Sequence, residues 1–361
     1  MDATIEFVSR VTKCTVVAAW MALASCVLVG EARAEDSDRL KTYRVNWEKA
    51  QQAFADKDYG LAADYYRKVA EVLPFEPTCR YQLACCLSLL GDRDKAMTAL
   101  EAAVNYGWDD SKRLEQAGEL KELRSDARFA QIIRDSNTCA GETTLFYAGK
   151  RVKATETVPL IVLLPGLGYG PRADVSYWKQ TVDQLDLVLV AARGPTKFGP
   201  MLYGWHRPGA KDTPGGNYYD MAAAGKRIAE AIAQAEERFI VDKKRIVLAG
   251  FSQGGGVALQ ELGDHPERYC GGIVICSRYQ PPGAPYWKSV VERNPVRVFA
   301  LAGKLDSLLP RTQEAVRQFR EAQLSHQYEE MEREGHEYPL DYSERLIRGT
   351  EFVLGTDKPR R

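Results

Sequence analysis

Arg245-Ile246-Val247-Leu248-Ala249-Gly250-Phe251-Ser252-Gln253-Gly254-Gly255-Gly256 reads as strand, sharp turn and helix, with one serine at the bend. The apolar run 246–249 suits a buried strand. Gly250 and Gly254 flank the serine, where a tight strand-to-helix turn leaves no room for Cβ atoms. A serine held there points its hydroxyl out of the sheet, at the start of a helix whose N-terminal amides can stabilise an oxyanion. One turn therefore predicts a nucleophile and part of an oxyanion hole together.

Outward from this turn, the chain after Cys139 alternates two periods. Short β-branched runs at 160–164, 187–191, 245–249, 272–276 and 296–301 are interleaved with helical stretches at 218–238, 255–263 and 312–324. Such alternation predicts an α/β fold with a mostly parallel sheet and helices on both faces. Ligands in that architecture bind beyond the carboxyl ends of the strands, so the residues just after each run are the ones that matter.

A serine hydroxyl needs a base within hydrogen-bond reach, itself oriented by a carboxylate. The chain has four histidines. His265 closes the helix after the serine and cannot easily fold back onto it. His326 reads as a solvated residue at the end of an amphipathic helix. His206, in Gly204-Trp205-His206-Arg207, sits on a lid or substrate loop, where a binding role and a core or surface role are both open. His336, in Glu334-Gly335-His336-Glu337, follows the extended segment 327–331 at the far edge of the sheet, where the base belongs. For the acid, Asp306 follows the run 296–301 through Ala302-Gly303-Lys304-Leu305 and precedes a helix start. The competing readings are a serine in a Gly-rich turn, a loop or N-cap aspartate, and a surface histidine. Serine, acid and histidine occur in that chain order, which is the α/β-hydrolase order.

The second oxyanion donor is sought in Leu164-Pro165-Gly166-Leu167-Gly168-Tyr169-Gly170, whose glycines let a backbone N–H turn toward a substrate carbonyl. The amides of Leu167 and Gln253 are the candidates. The loop lacks the full G-x-G-x-x-G pattern and the Walker lysine, which argues against a nucleotide cradle.

The first part of the chain is different. Over 42–108 the apolar spacing is helical, and two segments match at an offset of 34 residues: Ala50 on Ala84, Ala62 on Ala96, Tyr66 on Leu100, Val69 on Ala103. The pattern resembles a tetratricopeptide repeat, with Trp108 and Arg93 as departures. Two such units need a cap, and 114–133 offers one through the helical apolar face Leu120, Leu123, Phe129, Ile132 and Ile133, broken around Ser125-Asp126. A protein-docking groove and a helical prefix packed on the rest of the chain are both open readings, the prefix slightly favoured.

Arg10 and Lys13 precede an apolar run 14–30, and Ala32-Arg33-Ala34 supplies small residues, as in a secretory signal peptide cleaved near Ala34. Export is the expected localisation, to the periplasm or outside the cell. An uncleaved anchor is disfavoured by the shortness of the run, and Leu23-Ala24-Ser25-Cys26 also resembles a lipobox, with Cys26 as the lipidated residue. The expected division is 1–34 signal peptide, 35–138 helical unit, 139–355 sheet unit and 356–361 frayed tail. Lys+Arg and Asp+Glu each total 49, so no net field argues for nucleic acid as a partner. The six cysteines after Ala34 show no metal spacing; free buried thiols are expected, with a Cys79 to Cys139 bridge the one alternative.

From Val241-Asp242 through Gly255, the chain closely resembles the phospholipase/carboxylesterase branch of the α/β-hydrolases, which includes acyl-protein thioesterases. His265-Pro266-Glu267-Arg268-Tyr269, Gly303 with Asp306 and Pro310, and Gly335-His336 agree with it, over about 157–354. The resemblance implies a serine esterase acting without metal or cofactor on a small-molecule, lipid or glycan ester. Ser252, Asp306 and His336 would be catalytic, Leu167 and Gln253 would donate to the oxyanion, and Gly166, Trp205 and His206 would bind substrate. Members usually carry His-Gly in the oxyanion loop, and this chain has Pro165-Gly166 there. The alternatives are a serine peptidase of the same fold and a non-catalytic scaffold that binds a protein through its repeats.

Overall fold

The protein is described from a computed structural model over residues 37–153, 155–168, 170–210 and 218–357. The expected signal segment 1–34, Cys26 included, and residues 358–361 of the expected tail lie outside the described residues.

The helical unit comprises α1 (Asp38–Ala55), α2 (Tyr59–Val72), α3 (Pro77–Leu89), α4 (Arg93–Asn105), the short α5 (Ser111–Gln116), a 3₁₀ turn (Gly118–Leu123) and α6 (Ala127–Gly141). Aspartates start several of them: Asp58, Asp92, Asp110 and Asp126 each accept from an amide of the first turn, supplying the partner a helix start lacks. The eight residues paired at the 34-residue offset are all buried. The expected cap is present, with Leu114, Leu120, Leu123, Phe129 and Ile132 buried, and its break falls at Asp126, the N-cap of α6. Trp108 stacks on Tyr81 with ring centroids 4.1 Å apart. Helix α6 runs past the boundary expected at 138, ending at Gly141.

The sheet unit follows as β1 (Thr144–Ala148), β2 (Thr157–Leu164), α7 (Pro171–Leu185), β3 (Val188–Ala192), β4 (Thr196–Gly199), β5 (Leu202–Gly204), α8 (Met221–Glu236), β6 (Ile240–Phe251), α9 (Gln253–Asp264), β7 (Gly271–Ile275), α10 (Ala284–Arg293), β8 (Arg297–Gly303), α11 (Leu309–Glu321), β9 (Ser325–Met331) and α12 (Tyr342–Leu354). Seven strands form one sheet in the order β1-β3-β2-β6-β7-β8-β9, parallel except for β1, which runs antiparallel to β3. Strands β4 and β5 form a separate hairpin.

Period-2 alternation sorts the core. Leu160, Val162 and Leu164 of β2 face a cluster built with α8, α9, α10 and α11, while Ile161 and Leu163 face α7 and α12. The sheet is thus covered on both faces, as expected from its apolar runs. Its register aligns Leu164 with Gly250, Phe251 with Ile275, Ile275 with Leu301 and Gly303 with Met331. The loops that leave these strand ends therefore gather along one edge.

Two details differ from expectation. His326 lies in β9 and not at a helix end, because α11 stops at Glu321 and Gln323, at φ +58°, turns the chain into the strand. Cys79 and Cys139 are free and buried in separate clusters, so they do not form a bridge; Cys85, Cys86, Cys270 and Cys276 are free as well.

Candidate active site

The turn between β6 and α9 is built by exclusion. A Cβ on Gly254 would sit 1.8 Å from the Leu164 carbonyl oxygen, and one on Gly250 would sit 2.4 Å from the Gly254 carbonyl carbon. Only glycine lets β2, β6 and α9 approach so closely. Between them Ser252 is held at φ 52°, ψ −115°, with its amide donating to the Ile275 carbonyl at 2.9 Å. A non-glycine residue rarely adopts such a backbone unless its surroundings over-determine it, and such strain clusters at functional sites.

Three loops converge on this hydroxyl. His336 Nε2 lies 2.8 Å from Ser252 Oγ, and His336 Nδ1 lies 2.9 Å from Asp306 Oδ2. The other oxygen of Asp306 accepts from the Leu308 amide at 2.9 Å. Burial pushes the Asp306 carboxyl up, but the His336 imidazole, the Leu308 amide and the Cys276 thiol outweigh it and hold the group below the ordinary carboxylate range. An ionised Asp306 fixes the proton on Nδ1, which leaves Nε2 free to accept from the serine.

Cys276 lies beneath this chain, its thiol 3.6 Å and 3.7 Å from the carbonyl oxygens of Gly335 and Glu337. Ligand-type atoms of Cys276, Asp306 and His336 lie within 4.8 Å of one another. The set is a poor cation site: burial pushes the thiol well up, and both imidazole nitrogens are already committed to hydrogen bonds.

The two candidate oxyanion donors lie at the start of α9 and on the loop after β2. Gln253 is the first residue of α9, so its amide has no carbonyl one turn back to bond within the helix. Gly166 packs so close to Phe251 that a Cβ there would lie 2.9 Å from its ring. Leu167 precedes Gly168, whose amide donates to the Tyr203 carbonyl at 2.8 Å and ties the loop to β5.

Two residues expected to meet substrate have other surroundings. Trp205 is fully buried, and its indole N–H donates to the Pro165 carbonyl at 2.8 Å, so it braces the loop after β2. His206 stacks between Phe198 and Tyr218, with centroids 4.4 Å and 5.0 Å away. The Gln253 side-chain amide donates to His206 Nδ1 at 3.0 Å and to the Tyr218 hydroxyl, while its carbonyl accepts from the Trp205 amide. Nδ1 is then the acceptor and Nε2 carries the ring proton. Burial, with the nearby Arg278 charge, lowers the His206 pKa, which suits a neutral ring that accepts at Nδ1. His265 stands away from this cluster in an exposed turn, its ring 3.8 Å from Glu267.

Residues 161–342, just over half of the chain, match the alpha/beta hydrolase family. The chain belongs to that family. Among solved structures, this alpha/beta hydrolase is 18% identical to an uncharacterised protein from Bacillus cereus ATCC 10987, covering 87% of this chain and 99% of that one at a TM-score of 0.48. It is 17% identical to a Bacillus cereus carboxylesterase, covering 58% of this chain and 93% of that one, TM-score 0.44. A ferulic acid esterase is 19% identical, covering 59% of this chain and 92% of that one, TM-score 0.46. No curated protein matches this alpha/beta hydrolase.

Missed by sequence reasoning is Asp174 in the first turn of α7, 1% exposed, with neither oxygen in a hydrogen bond of good geometry. Burial raises the carboxyl to about 7, only partly offset by the pull of the Gly166 amide. No local pattern marks it, since an acid in a first helical turn is ordinarily exposed.

Proposed function

We propose that the protein is an exported serine hydrolase of carboxylic esters, of the phospholipase/carboxylesterase type, working through an acyl-enzyme. The observation that carries this reading is the continuous hydrogen-bonded line Ser252, His336, Asp306 at the carboxyl edge of the sheet. Ser252 Oγ attacks the ester carbonyl as His336 Nε2 takes its proton, and Asp306 stabilises the imidazolium that forms. The amides of Leu167 and Gln253 hold the negative oxygen of the tetrahedral intermediate. His336 then protonates the leaving alcohol. In the second half-reaction a water loses its proton to His336, attacks the acyl-enzyme and releases the acid and a regenerated serine.

The test is labelling of the protein by a fluorophosphonate probe, wild type beside Ser252→Ala, followed by a chain-length series of aryl esters. Labelling confined to the wild type, with ester turnover reduced by at least about 10³ in the variant, is the expected result. Labelling or turnover that survives Ser252→Ala overturns the assignment. A peptide panel separates the esterase from a peptidase of the same fold. N-terminal sequencing of the protein recovered from its native compartment tests cleavage near Ala34.

A further inference from the structure

The loop that carries His336 is held by the helical unit. Glu337, next to the histidine, has a side chain only 4% exposed. Its carboxylate accepts from the Gly335 amide at 3.2 Å, and its own amide donates to the Gly335 carbonyl at 3.0 Å, which curls 335–337 into a tight turn with His336 at the apex. The Leu305 amide holds one shoulder of the loop through the Glu334 carbonyl at 3.1 Å, and Cys276 lies underneath.

The remaining side is closed by the start of α1. The Ser37 hydroxyl donates to one oxygen of Glu337; Arg39 donates from Nε to the other and from its second arm to the Tyr338 carbonyl. A Cβ on Gly335 would meet the Leu40 side chain at 3.3 Å, so the first turn of α1 also packs on the residue before His336. A carboxylate buried in this way is costly unless it is paired. The only cation that pairs with it among the described residues comes from the other unit. Without Arg39, Glu337 is relieved most cheaply by swinging out to water, which turns the neighbouring imidazole away from the serine.

The helical unit reaches the opposite half of the site as well. Asp109, its side chain 2% exposed, accepts from the Met201 amide at 2.6 Å, from Lys197 at 3.2 Å and from the Tyr203 hydroxyl. The Tyr203 carbonyl in turn holds Gly168 of the oxyanion loop. Both halves of the site are therefore braced from one side.

We propose that Arg39 and Ser37 are positioning residues for His336, acting through Glu337, so that the helical unit sets turnover in the unit beside it. The proposal rests on the reading of His336 as the general base.

The experiment takes the full chain as wild type, Arg39→Met, Glu337→Gln and the double variant. Activity is read as kcat and KM on an aryl acetate from pH 5 to 9. The His336 imidazole is followed by NMR in a Ser252→Ala background, assigned by loss of its signal in His336→Gln. A small displacement of a reacting group costs up to about a hundredfold. The expected result for Arg39→Met is therefore a kcat roughly ten- to a hundredfold lower, a KM within about twofold and a displaced bell-shaped pH profile. The double variant should fall no further than the worse single one, because both changes break one linkage. The His336 resonance should shift or broaden while those of His265 and His326 stay. An unchanged kcat with an unchanged His336 resonance overturns the proposal. If Arg39→Met does not fold, Arg39→Lys carries the same expectation, since an ammonium cannot bridge Glu337 and the Tyr338 carbonyl as a guanidinium fork does. A wild type that neither labels with fluorophosphonate nor turns over ester overturns the hydrolase reading, and the His336 resonance alone then decides the clamp.

Discussion

Asp174 shows how a single buried group ties this fold to pH. Its carboxyl is raised from 3.8 to about 7 by burial, so the folded protein keeps a proton that the unfolded chain gives up. Between those two values the folded state binds more protons, and stability falls as pH rises through that window. Below it the two states are equally protonated and the group is neutral in its effect. Asp174→Asn keeps the shape and removes the charge. Urea unfolding should find the variant equal to wild type near pH 4 and more stable by on the order of a few kcal/mol near pH 8; equal midpoints at both pH values would refute the assignment. The three residues of the hydrogen-bonded line were legible because each sits in a glycine-bearing loop after a strand, Ser252 and Asp306 after apolar runs and His336 after the extended segment 327–331. Asp174 was not, since Arg172-Ala173-Asp174-Val175 looks like any first helical turn until the sheet and the loop after β2 close over it.

At the scale of elements, legibility followed burial. Strands β2, β3, β7, β8 and the second half of β6, 246–251, are apolar on both faces and stood out as β-branched runs. Strand β1 lies at the sheet edge with every residue half-exposed, and the hairpin strands β4 and β5 are four and three residues long, too short to show a period. Helix α7 opens on Pro171 straight out of a glycine-rich loop, which masked its start. The same hairpin region moved Trp205 from the expected substrate wall to a brace behind Pro165. Trp205→Phe keeps most of the packing and loses that donor, so the oxyanion loop slackens. Aryl ester kinetics should show kcat lower by about tenfold with KM nearly unchanged; a rise in KM alone would return the residue to the substrate wall.

Over the whole molecule, the two units share polar anchors, and the chain crosses between them at α6 and β1. Arg193 donates to the carbonyls of Cys139 and Ala140, Arg172 pairs with Glu142, and Phe75 packs edge-on against Tyr177 at 4.8 Å. Met201, from the β4–β5 turn, is buried in the core of the helical unit. Asp109→Ala removes the acceptor that pins this turn, so hydrogen exchange at the amides of Met201 and Tyr203 should quicken by roughly tenfold or more, with the central strands unaffected. Unchanged exchange there would mean that apolar contact alone holds the units together. The same layout has a consequence for biosynthesis. Ser252 and His336 stand 84 residues apart, and the clamp on Glu337 spans 298 residues back to Arg39. A ribosome-bound chain therefore carries the serine before its base has been made, and Arg39 leaves the ribosome well ahead of Glu337. On the proposed reading, the growing chain is inert until His336 has been made, and it reaches full turnover only once Arg39 has closed on Glu337.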